Sequence, residues 1–128
     1  MGAEVYRLVA HEDAVLDTRR IVILKQSLGP KRCREVVEEV VFHLTERLTL
    51  LEKALAENDV AEGSRLATRL ASLSDQVGLS DFARVARDLG RCLDARDATA
   101  TAAVAARLIR IGEDSLLTVV NYADTAAI

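Results

Sequence analysis

RLATRLASLSDQVGL, residues Arg65 to Leu79, is the stretch on which the reading of this chain turns. At about 100° of rotation per residue, a helix brings Leu66, Leu70, Leu73 and Val77 within roughly 60° of one another, one apolar stripe for a core. The same rotation sends Ser64, Thr68, Ala71, Ser72 and Asp75 to the opposite side, which is expected to face water. All five side chains are short, so that face is smooth and easy for another protein to approach. Asp59, with Glu62 three residues later, forms a capping-box-like start for this helix, and Gly78 ends it.

Upstream, Asp17 is the N-cap of a short helix from Thr18 to Leu28 with Ile21, Leu24 and Leu28 on one side. Gly29-Pro30 then closes one helix and opens the next, glycine just past an end and proline in a first turn. From Lys31 to Glu57 the apolar residues Val37, Val41, Leu44, Leu48, Leu51 and Leu55 recur at steps of three and four, an amphipathic helix that Asn58 can end in the left-handed conformation. Residues 1–16 show no sustained period and read as a loosely held arm carrying His11, followed by one domain over 17–128.

Downstream, Ser80 or Asp81 opens a helix striped by Phe82, Val85 or Ala86, Leu89 and Leu93 and running to about Arg96. Asp97 caps a last long helix with Val104, Leu108, Ile111, Leu116 and Val119 or Val120 along it. That helix is apolar around more than half its circumference, and its alanine-rich start, Ala98 to Ala106, permits close packing. Gly90 and Gly112 fall inside helices, where each costs about 1 kcal/mol relative to alanine, so close interhelical contact is expected there. The sum is an all-α fold: a short extra N-terminal helix, then four long helices whose short loops predict an antiparallel up-down four-helix bundle.

Composition agrees. The 128 residues are half apolar but only 3% aromatic, so the core must be aliphatic, which favours helices. A chain of this length forms one domain and buries about two thirds of its unfolded surface. Net charge is -3, from 17 basic and 20 acidic residues spread along the chain, which gives no footprint for nucleic acid. Cys33 and Cys92 belong to no ligand pattern, and no signal peptide or apolar run of about 18 residues is present, so a cytoplasmic protein with reduced thiols and no membrane span is expected. There is no phosphate-cradling glycine loop, no His-Glu-x-x-His, no Cys-x-x-Cys and no nucleophile motif. The expectation is a protein that is not an enzyme and uses no metal or cofactor.

The 65–79 stretch also resembles the signature helix of histidine-containing phosphotransfer (HPt) domains, Ala-His-x-Leu-Lys-Gly followed by small residues, an apolar residue and Gly-Leu. Ala67, Leu70, Val77, Gly78 and Leu79 match at the right spacing. Thr68 stands at the family's phosphoacceptor histidine, Ala71 at its lysine and Ser72 at its glycine. The resemblance extends from Asp17 to about Tyr122, including helix order, loop positions and the Leu79 to Phe82 spacing. It implies an HPt-like bundle whose partner is a response-regulator receiver or histidine-kinase domain of a two-component phosphorelay. In the family a histidine nitrogen attacks an aspartyl phosphate. A threonine hydroxyl without a strong base is a poor nucleophile, so the resemblance implies a non-phosphorylatable, pseudo-HPt binding module.

The partner-binding face then comprises Ser64, Arg65, Thr68, Arg69, Ala71, Ser72 and Asp75, with Arg84, Arg87 and Arg91 adding a basic stripe from the following helix. Such a stripe suits an acidic receiver pocket; its ordinary reading is a solvated face laced with pairs such as Arg84 with Asp88. Two alternatives stand beside this. His43 is the other candidate phosphoacceptor, in register with Val36, Val40 and Arg47; Arg47 suits a phosphate and Glu46 repels one, and the ordinary reading of His43 is a half-buried packing residue. The second alternative is a helical scaffold or homodimer without a signalling role, built on the surplus apolar surface of the last helix.

Overall fold

The computed structural model describes residues 16–126, with side chains through Asp124. It is all-α: α1 (Thr18–Leu28), α2 (Pro30–Ala56), α3 (Val60–Gln76), α4 (Ser80–Asp94) and α5 (Ala98–Ala126), with no strand among the described residues. The expected arm, with His11, lies outside the described residues except for Leu16, which is buried in the core rather than loosely held.

Helix starts follow the capping chemistry. Asp17 accepts from the Arg19 amide, Asp59 from the Glu62 amide and Asp97 from the Ala100 amide, each satisfying an orphan N–H of a first turn. The Arg19 guanidinium, bonded to the Asp17 carboxylate, holds that carboxyl below its ordinary range.

Three helix ends share one geometry. Asn58, Gly78 and Arg96 adopt φ of 55°, 80° and 54°, and the amide after each reaches back to the carbonyl five residues earlier: Asp59 to Ala54, Leu79 to Ser74, Asp97 to Cys92. Asn58 and Gly78 are legible as stops in the sequence. Arg96 is not, and because it turns left-handed α4 ends at Asp94 instead of reaching Arg96.

Each long helix packs on the next and α5 returns to α2, while α1 lies on α2. The core is aliphatic apart from Phe82: Val37, Leu44 and Leu51 from α2, Leu66 and Leu70 from α3, Val85 and Leu89 from α4, Leu108 and Val119 from α5. On α2 the buried arc is shifted from expectation. Val40 and Ala54 are buried while Val41, Leu48 and Leu55 are only partly so, because α2 lies between α3 and α5. On α1 Ile21 is buried, but Leu28 is 43% exposed and does not belong to the core.

Gly112 is a site of close approach, since a Cβ there would stand 3.3 Å from both Leu48 Cδ2 and Phe82 Cε2. Both cysteines are free. Cys33 is buried and directs its thiol at the Ile21 carbonyl, 3.9 Å away, and burial raises its pKa. No helix of the described residues is long and apolar enough to cross a membrane.

Candidate functional site: the groove between α3 and α4

The sequence expectation centred on α3, and the structure makes that face one wall of a groove of about 250 Å³ whose other wall is α4. Ser64, Thr68, Ala71 and Ser72 line it from α3, and Arg87, Gly90, Arg91 and Asp94 from α4. The groove is closed by interhelical bonds toward each end. The Ser64 hydroxyl donates to the Asp94 carboxylate at 2.8 Å, and the Arg87 guanidinium pairs with Asp75. Thr68 is exposed between them, its hydroxyl donating to the Ser64 carbonyl at 3.1 Å.

One assigned residue needs correction. Ala71, expected on the water side, is 2% exposed and forms part of the groove floor. The cause is that α3 packs on two neighbours: Leu66, Leu70 and Leu73 make the apolar stripe, and Ala67, Ala71 and Ser74 are buried as well. Small side chains let α3 and α4 approach closely, and Ser74 stays satisfied by donating to the Leu70 carbonyl at 2.7 Å. Ser64 is only partly exposed, whereas Thr68, Ser72 and Asp75 are exposed as expected.

Gly90 tests how tight this contact is. A Cβ there would meet only Ala67 Cβ at 3.9 Å, ordinary van der Waals distance. Gly90→Ala is therefore expected to stabilise the fold by about 1 kcal/mol, the helix-propensity difference, raising the thermal midpoint by a few degrees. A midpoint that falls would mean that the helices meet more closely than these distances.

The basic stripe is largely neutralised within the chain. Arg84 pairs with Asp81 at 2.8 Å, Arg91 with Asp88, and Arg65 bonds Glu62 at 2.9 Å, which holds the Glu62 carboxyl below its ordinary range. The pairing anticipated for Arg84 with Asp88 is thus replaced by Asp81. Arg69 is exposed and makes no ion pair among the described residues. Asp94 was missed by sequence reasoning: its bond to Ser64 spans thirty positions and leaves no local signal.

His43 is exposed rather than half-buried, its ring edge-on to Phe42 with centroids 5.7 Å apart. Glu35, Glu38 and Glu39 surround the pair in a shallow depression, and Arg47 is engaged by Glu46 at 3.7 Å. Glu35 and Glu39 pair with Arg32 and Glu38 with Arg34, so these arginines, like Arg47, are already engaged by carboxylates of the chain. No cluster of His, Cys, Asp or Glu among the described residues has the geometry to hold a metal. In comparison with known proteins, no family model, no curated sequence and no solved structure matches the chain.

Proposed function

We propose that this chain is an HPt-like protein of a two-component phosphorelay, an antiparallel up-down four-helix bundle that binds without carrying phosphate. In this reading the α3–α4 groove docks on a receiver or histidine-kinase domain in the cytoplasm. The observation that carries it is Thr68: the residue at the family's acceptor position is exposed at the groove, with the flanking Ala67, Leu70, Val77 and Leu79 all buried. The Thr68 hydroxyl donates to its own helix backbone and not to a base, and without a base it is a poor nucleophile, so in this reading what remains is a surface.

The paired arginines suit reversible docking. Exposed ion pairs contribute only about 0–1 kcal/mol each, so Arg84, Arg87 and Arg91 can exchange an internal carboxylate for one on an acidic partner at small cost. Arg69 needs no exchange.

Thr68→Arg is the test, measured by calorimetric titration against the receiver and histidine-kinase domains of the source organism. Because the side chain is exposed, the variant is expected to fold normally while the bulk weakens binding roughly tenfold or more. Unchanged affinity rules out this groove, and absence of binding by the unaltered protein to all such domains rules out the signalling role.

A further inference from the structure

The outer face of α5 carries a pattern of its own. Thr99, Ala103, Ala106, Arg110, Glu113 and Leu117 are exposed and, at about 100° per residue, fall on one side of the helix. Leu117 is 60% exposed, among the most exposed large apolar side chains described. Charge on this face is segregated. Arg107 and Arg110 lie N-terminal to the midpoint, and Glu113 and Asp114 follow it.

Arg107, Arg110 and Glu113, like Arg69 on α3, make no ion pair among the described residues, so they are available to a partner. A helix face that is small and basic in one half, large and acidic in the other, complements itself when turned end for end.

We infer that the outer face of α5 is an interface for a second copy of this chain, joined through an antiparallel α5–α5 contact about a two-fold axis. With the axis between Arg110 and Glu113, each Arg110 meets the Glu113 of the other copy, and each Leu117 rests on the other copy's Ala106. Such a contact is isologous, so each favourable pair occurs twice. A parallel arrangement instead sets Arg110 on Arg110 and Glu113 on Glu113. One helix face is small for a protein interface, so the association is concentration-dependent, with dissociation in the micromolar range.

The dimer leaves the groove free. α3 and α5 both lie between α2 and α4 and do not pack extensively on each other, so the two Thr68 grooves remain open on the far sides.

Sedimentation equilibrium of the full chain over low to high micromolar concentration is the test, with circular dichroism checking that each variant is folded. The unaltered protein is expected to pass from monomer to dimer. Leu117→Glu abolishes the dimer, and Arg110→Glu, which places two like charges together twice, raises the dissociation constant roughly tenfold or more. Arg110→Glu combined with Glu113→Arg restores it, a rescue that no general surface effect predicts. A monomer throughout the range overturns the proposal and leaves this face to another partner. A dimer indifferent to Arg110→Glu, or not rescued by the double exchange, overturns it equally.

Discussion

Gly78→Ala is expected to destabilise the fold by about 3 kcal/mol or more and to detach α1. Gly78 has φ +80°, a conformation that costs an L-residue about 1–2 kcal/mol. A Cβ there also collides with the Asp17 carbonyl oxygen and comes within 3.3 Å of Arg20 Cβ. The collision cannot be relieved locally, because the Asp17 amide donates to the Gly78 carbonyl at 2.7 Å and Arg20 Nε to the Gln76 carbonyl at 3.1 Å. Moving the chain away gives up these bonds, about 1 kcal/mol each, and withdraws Leu16 and Ile21 from the core. Cys33, 2% exposed and aimed at Ile21, reports the event directly. In the variant it should react with a thiol reagent under conditions where the unaltered protein stays protected. A loss below about 1 kcal/mol, with Cys33 still protected, would show that α1 is not pinned at this turn.

The same glycine illustrates what sequence alone can and cannot deliver. Its role as a helix stop follows from local chemistry, like the caps at Asp17, Asp59 and Asp97, because glycine's freedom at positive φ and a carboxylate's reach to an amide need only a few neighbouring residues. Its contact with Asp17 does not follow, since nothing near Gly78 announces a chain that returns from sixty residues away. Ala71 fails for a related reason. A helical wheel records one apolar stripe, but α3 buries two surfaces, and the second is built from alanine and serine that carry almost no hydrophobic signal. Intrachain pairing of the α4 arginines is legible as a class in the sequence, but the partners are not: Arg84 takes Asp81, Arg91 takes Asp88, and Arg87 reaches across to Asp75 of α3. Arg96 shows the limit of turn chemistry: a left-handed arginine is disfavoured, and the surrounding α4–α5 turn over-determines it.

Phe82→Ala is the other large effect, with an expected loss of about 3–5 kcal/mol, a substantial share of the roughly 5–15 kcal/mol that holds a domain together. Phe82 is 1% exposed in an otherwise aliphatic core. Its ring occupies the space that Gly112 opens in α5, next to Leu48 of α2, so it fills the meeting point of three helices. Gly112→Ala probes this geometry in two backgrounds. In the unaltered protein the new methyl stands 3.3 Å from both Phe82 Cε2 and Leu48 Cδ2, so strain offsets the gain of about 1 kcal/mol in helix propensity and the net change is small. Once the ring is gone, the methyl presses on Leu48 alone, which can yield into the space the ring has left. Gly112→Ala should then recover about 1 kcal/mol or more in the Phe82→Ala background, a coupling well above the error of additivity. Denaturant unfolding of the four proteins measures it. Strictly additive changes would mean that the ring of Phe82 does not meet α5 at Gly112.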